Sequence, residues 1–323
     1  NQQKLKQSMN KALLTLLGSC LIAFQVLAAP DTFYEAKVEL RDSVYHDQNR
    51  NGAIGTLYCG CDWDWRGRSG GVVDAKSCGY QVRKQAVRGE RTEIEHLVPA
   101  FNFGRARQCW QKGGRDFCQK TDAVFRAMEA DMHNLTPTVG ELNADRSNYR
   151  FGLLPDTPHQ HGACPFKVDF KARVAEPRPE ARGFIARVQF YMHDRYDLQM
   201  SRQQQQLFMA WHKQYPPTEW ERLRNKRIAR VMGHHHPYVT GEKTWALGQK
   251  NSSAAGADKS QRPSAVVDAS DAGEGVRGNR NSNVYHLPEG CPSYDLVSPR
   301  NRVVFDSEDD ARSAGYRVAG NCR

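Results

Sequence analysis

The apolar positions of this chain fall into two regimes. Between Arg182 and Met232 they recur every three or four residues: Phe184, Ile185, Val188, Tyr191 and Met192, then Leu207, Phe208 and Trp211, then Trp220, Leu223, Ile228 and Val231. That spacing predicts three helices, over 182–196, 201–214 and 218–232, whose aromatics pack into a core. Upstream the apolar runs are shorter and broken by Gly, Cys and Asn. Thr32 to Tyr45 reads as a short helix or an extended segment, Thr56 to Trp65 as a strand, and Gly104 to Arg115 as a basic loop. Asp122 to Ala130 reads as a helix, Asn134 to Pro137 as a strand leading to a turn, and Val139 to Asn148 as the start of a further helix. From Gly241 to Gly278 the composition turns to Ser, Ala, Gly, Asp and Lys, which predicts a linker over 241–277.

The N-terminal segment changes the compartment. Residues before Met9 read as upstream translation; Met9-Asn10-Lys11 and the apolar run from Ala12 to Leu27 have the form of a secretory leader, with a small-residue cleavage site at Val26 to Pro30. The expected leader is 1–29. Leu17-Gly18-Ser19-Cys20 has the look of an acylation box, but the apolar run continues past Cys20. No later stretch is long enough to span a bilayer.

Once the leader is removed, eight cysteines remain, Cys59, Cys61, Cys78, Cys109, Cys118, Cys164, Cys291 and Cys322, with no Cys-x-x-Cys pair. An even set in an exported chain favours disulfides over zinc or redox chemistry. Cys59 and Cys61 sit too close to bond each other without strain and are expected to reach different partners. Cys109 with Cys118, and Cys291 with Cys322, are the pairs that would each staple a local unit.

A formal charge of +10 over 323 residues points to a polyanionic partner. Arg105, Arg107, Lys112 and Arg115 lie among Phe103, Trp110 and Phe117, a mixture suited to phosphates and exposed bases. Consecutive imidazoles at His234, His235 and His236 diverge in direction, which predicts cationic capping of a helix end over a metal cluster.

The candidate chemistry centres on Glu95-His96 in the stretch Arg91 to Ala100. The pair sets an oxygen ligand for a hard cation beside an imidazole able to accept a proton near neutral pH. At a strand end running into Pro99 both can reach one cavity.

Several blocks in one order then resemble the bacterial endonuclease I family: Tyr58-Cys59-Gly60-Cys61, Ser77 to Lys84, Glu95 to Ala100, Gln108-Cys109-Trp110, Asp131 to Leu135 and Gly140 to Asn148, with further likeness to Val239. The resemblance implies an α+β fold, a mainly helical domain over 30–240 built around a ββα-metal finger with short strands. It implies His96 as general base, Glu95 and Asn143 as protein ligands of one Mg²⁺ with Mn²⁺ as an alternative, and Arg115 at the scissile phosphate. Asn134 would brace the finger and Glu129 would support the site from behind. Arg105, Arg107, Lys112 and Arg146 are the expected nucleic-acid contacts.

Residues 278–323 separately resemble the small zinc-binding module of Ada-type DNA methyltransferases. Of its four cysteine positions, two hold His286 and Ala319, so only His286, Cys291 and Cys322 could ligate, and a Cys291–Cys322 disulfide in place of zinc is the expected reading. The implied protein is an exported, magnesium-dependent endonuclease of little sequence specificity. It would act as a monomer on double-stranded DNA, with RNA as a further substrate, in the periplasm or the medium. Its rivals are a DNA-binding or uptake protein without catalysis and a structure-specific nicking nuclease.

Overall fold

The structure is a computed structural model that describes residues 29–51, 53–252, 276–279, 282–294, 296–297, 301–305, 308–313 and 316–322. All of the leader but Ala29, and residues 253–275 of the expected linker, lie outside them. The chain divides into two units, one up to Lys259 and one from Ser260.

In the first unit, α1 (Phe33–Glu39) begins at Thr32, whose hydroxyl accepts from Glu35 N while the Glu35 carboxylate accepts from Thr32 N. This reciprocal cap settles the helix-or-strand question for Thr32 to Tyr45, and the helix continues as a π turn over Leu40–Val44. The strand expected from Thr56 is shorter: β1 is Asp62–Arg66, paired with β2 (Gly70–Asp74), and residues 56–60 form a turn. Tyr58 is fully buried in that turn, so its apolarity reflects the core and not strand alternation.

At the centre, β3 (Thr92–His96) is followed by α2 (Ala100–Gly104), α3 (Gln108–Thr121) and α4 (Ala123–Glu129), and then by β4 (Leu135–Val139) and α5 (Gly140–Arg146). The two strands are antiparallel, with Glu95 opposite Thr136 and His96 opposite Leu135. The segment expected to be a basic loop is therefore largely helical. Its glycines mark a kink: Gly114 has φ +67° and ψ −153°, a conformation that side chains resist, and it sets the backbone immediately before Arg115.

A three-stranded sheet, β5 (Arg150–Phe151), β7 (Val174–Glu176) and β6 (Lys167–Asp169) in that spatial order, flanks the finger. The expected helices follow as α6 (Pro179–Tyr196), α7 (Arg202–Gln214) and α8 (Glu219–Met232). Ile185, Val188, Phe190, Phe208 and Trp211 join Leu97, Val98, Leu142 and Phe166 in the main core. A second cluster packs Leu40 and Val44 against Ile94, Leu135 and Ile228, which anchors β3 and β4 to α8. Trp245, inside the expected linker, is only 5% exposed and stacks on Phe190 at 4.9 Å, so residues up to Ser252 cover this unit.

His234 does reach the helix end, its Nδ1 donating to Met232 O of α8 at 2.9 Å, whereas His236 is buried and is no cationic cap. With His133 they form a packed group: His133 lies 5.4 Å from both rings, and burial holds His236 well below the usual histidine range. Disulfides join Cys59 to Cys164, Cys61 to Cys78 and Cys109 to Cys118, so the adjacent pair does tie the turn and β1 to different partners.

In the second unit β8 (Val276–Asn279), β9 (Val284–His286), β10 (Arg302–Phe305) and β11 (Arg317–Val318) form one sheet in the order β10-β8-β9-β11, with α9 (Glu308–Ser313) preceding β11. Cys291 and Cys322 are disulfide-bonded, with His286 close enough that the three potential ligand atoms lie within 4.8 Å. Zinc would require both sulfurs as thiolates, so the bond removes them as ligands.

Candidate active site

The finger places its residues through strand alternation and one tight junction. Gly140 N donates to Arg91 O at 2.9 Å, so α5 starts where the β3–β4 pair ends and brings Asn143 back over β3. Beyond β3, Asn134 grips the chain: its Oδ1 accepts from Val98 N at 2.7 Å and its Nδ2 donates to Val98 O at 3.0 Å. Asn134 is fully buried, and both ends of its amide are spent on holding this loop.

His96 is 9% exposed, tilted against Phe33 at 4.5 Å. Its Nε2 lies 2.8 Å from the Glu129 main-chain oxygen. A carbonyl can only accept, so Nε2 carries the proton and Nδ1 keeps its lone pair. Burial, with the positive charge of Arg115 adding to it, lowers the imidazole pKa to about 3 and keeps it neutral. The Glu129 carboxylate meanwhile accepts from Arg115 Nε at 2.5 Å and from Gln119 Nε2 at 2.8 and 2.9 Å. One residue thus orients the histidine through its backbone and the arginine through its side chain.

Glu95 is 1% exposed and does not line the cleft that His96 lines. Its Oε1 accepts from Tyr58 OH at 2.6 Å and faces Arg146 NH1 at 3.3 Å, while Oε2 has no partner. Burial, opposed by Arg146 and Tyr58, raises its pKa to about 7. An orphaned oxygen on a desolvated carboxylate is the deficit that a hard cation would make good. Asn143 lines the cleft and donates Nδ2 to Glu93 Oε2 at 2.9 Å, which leaves its carbonyl oxygen as a donor of the kind such a cation takes. The residues present therefore fit a divalent metal.

Glu93 is the residue that sequence reasoning missed. Arg88 and Arg91 clasp it, with Arg88 Nε at 3.0 Å and Arg91 NH2 at 2.8 Å from Oε1. Burial works against ionisation there, but these arginines and Asn143 more than offset it and lower the pKa. Period-two alternation puts Glu93 on the strand face of Glu95 and was the signal available.

A cleft of about 730 Å³ has Glu93, His96, Arg115, Asn143 and the cations Lys37, Arg88 and Arg91 in its wall, with Glu95 and Glu129 outside it. Arg146 borders it but is 2% exposed, because NH1 donates to His96 O at 3.0 Å and NH2 to Leu97 O at 2.5 Å. Arg105, Arg107 and Lys112 are not part of the cleft wall. Arg107 is paired with Asp122 at 2.6 Å, and Arg105 lies over the Phe101 ring at 5.7 Å.

Comparison with known proteins adds an independent line. The sequence model of the endonuclease I family matches residues 32–242. An extracellular deoxyribonuclease of Aeromonas hydrophila is 47% identical over 209 residues, covering 64% of this chain and 88% of that protein. Endonuclease-1 of Buchnera aphidicola subsp. Acyrthosiphon pisum is 42% identical, over 65% of this chain and 80% of that protein. A periplasmic deoxyribonuclease of Aeromonas hydrophila is 49% identical over 57% of this chain and 77% of that protein.

Proposed function

The chain belongs to the endonuclease I family and is an endonuclease, and from that premise we propose that it is exported and hydrolyses DNA phosphodiesters with a divalent ion, Mg²⁺ or Mn²⁺, leaving 5′-phosphate ends. Family membership displaces the reading of a binding protein without catalysis. The names of its relatives and the leader support export, and no described helix is long and apolar enough to cross a membrane.

The observation that carries the mechanism is the His96 Nε2–Glu129 O bond at 2.8 Å. It leaves Nδ1 as the proton acceptor, and His96, held neutral by burial, takes a proton from the attacking water. Arg115, held by Glu129, presents its remaining N–H groups to the non-bridging phosphate oxygens. Glu95 and Asn143 would hold the ion, whose chemistry is to neutralise charge on the phosphate and on the departing 3′-oxygen. Lys37, Arg88 and Arg91 line the cleft and attract the backbone whatever its bases, which fits low sequence specificity. RNA carries the same phosphodiester and is a second substrate.

Supercoiled plasmid with the mature protein tests this reading. Cutting in Mg²⁺ that stops with EDTA, and fragments that take a 5′ label only after phosphatase treatment, are expected. Cutting unaffected by EDTA, or direct 5′ labelling, contradicts the metal or the end chemistry respectively.

A further inference from the structure

A second cavity, of about 160 Å³, adjoins the cleft and shares Arg146 and Asn148 with it. It is smaller than the roughly 300 Å³ at which drug-sized ligands begin to fit, so it has room for one ring system and not for a nucleotide stack.

Its walls combine two cations, Arg146 and Arg150, with uncharged acceptors. Gln189, 7% exposed, spends Nε2 on Leu97 O at 3.0 Å, which leaves Oε1 to accept. Gln204 spends Nε2 on Phe151 O at 3.0 Å and likewise keeps Oε1. His193 is buried, donates Nδ1 to Gln189 O at 2.7 Å and so offers Nε2 as an acceptor. Tyr149 adds an aromatic wall. No carboxylate lines the cavity. Arg146 is spent on His96 O and Leu97 O, and Arg150 donates NH1 to Ala172 O; the uncharged acceptors beside the aromatic wall then suit an exocyclic amino group, and the arginines suit a flat ring that carries acceptors of its own.

We propose that this cavity receives one unpaired nucleobase bearing an exocyclic amino group, from the nucleotide next to the phosphate being cut. The assignment rests on the nuclease reading above, because the cleft must hold the phosphodiester for the neighbouring base to reach the cavity. A base entering there is withdrawn from its stack, as in other enzymes that bind extruded nucleotides.

The test is a cleavage map at single-nucleotide resolution on a 30-nucleotide single strand with one variable position, carrying cytosine, thymine or an abasic sugar. With cytosine, the bond on one side of that position is cut like its neighbours; with thymine or the abasic sugar it is cut about fivefold less, the scale of one lost base contact. Asn102→Trp, at an exposed residue of the cavity wall, flattens this difference while other bonds are cut at the wild-type rate. Should that variant not fold, Gln199→Trp, at another exposed wall residue, serves in its place. Equal cutting beside all three overturns the proposal. So does a difference that survives filling the cavity, and thymine cut as fast as cytosine contradicts the acceptor-lined assignment. Failure of the nuclease reading looks different, since then no bond is cut.

Discussion

Glu129 holds both His96 and Arg115: its main-chain oxygen accepts from His96 Nε2 at 2.8 Å, and its carboxylate accepts from Arg115 Nε at 2.5 Å. The proposed base and the proposed phosphate ligand are therefore placed by one residue at the end of α4. Arg115→Lys keeps the charge but cannot both pair with Glu129 and fork onto a phosphate. A loss of about 10²-fold in kcat/KM is expected, with the melting temperature little changed, as steady-state kinetics and thermal unfolding will show. Wild-type kinetics in this variant exclude the forked contact.

Glu95 predicts a conflict between stability and metal binding. Its folded pKa of about 7 stands above the usual carboxylate value because of burial, so without metal the fold loses stability as pH rises from about 4.5 through 7. Glu95→Gln should raise the metal-free melting temperature at pH 8 by several degrees, from about 2 to 3 kcal/mol, and abolish Mg²⁺ binding measured by calorimetry. In the wild type, protons compete with the ion, so apparent Mg²⁺ affinity falls as pH drops below about 7. A destabilised Glu95→Gln protein that still binds Mg²⁺ contradicts the assignment.

The buried histidines predict the opposite slope. Burial lowers His133 to about 3 and His193 to about 4, and holds His236 well below the usual range. Each is neutral when folded and becomes protonated on unfolding below about pH 6.5, so the unfolded chain binds more protons there. Stability falls with acidification, by about 1.4 kcal/mol per pH unit for each such group until its folded pKa is reached. Asp131, 2.7 Å from Tyr191 OH, Arg224 of α8 and Arg187 of α6 are charged groups facing His133 and His236. His236→Gln should flatten the dependence of the melting temperature between pH 6.5 and 5; an unchanged slope means another group governs it.

The Cys59–Cys164 bond spans 105 residues and should contribute about 4 to 5 kcal/mol on the chain-entropy view. It ties the Tyr58 turn, and hence the Glu95 partner, to the segment before β6. Thiol reduction verified by mass spectrometry should abolish activity together with the folded signal in circular dichroism. Full activity in the reduced protein removes that role.

The site was legible in part because its pieces recur in a fixed order: Glu95-His96, Asn134 and Asn143 could be placed on a strand–strand–helix unit before any coordinates. What pattern reading could not supply was which side chains lie across space. Tyr58 reads as a strand residue and Glu93 as an ordinary polar alternate, and only the packed structure puts the first on Glu95 and the second on Asn143. The Gly104 to Arg115 segment misled because Gly113 and Gly114 look like loop residues, whereas they kink a helix. Trp245 shows the same limit in reverse: one aromatic in a polar stretch gave no period, yet it closes the core over Phe190. Cys109–Cys118 and Cys291–Cys322 could be anticipated as staples of local units, while the bonds of Cys59 and Cys61 could be anticipated only as diverging, although Cys61–Cys78 spans 17 residues against 31 for Cys291–Cys322.

The general-base assignment of His96 is the centre of this account. The direct measurement is plasmid cleavage by His96→Ala in saturating Mg²⁺, with DNA affinity measured in parallel by fluorescence anisotropy. Turnover lost by a factor of about 10² or more, with DNA affinity within about twofold of wild type, is the predicted result. Cleavage at the wild-type rate by a protein that binds DNA normally contradicts it.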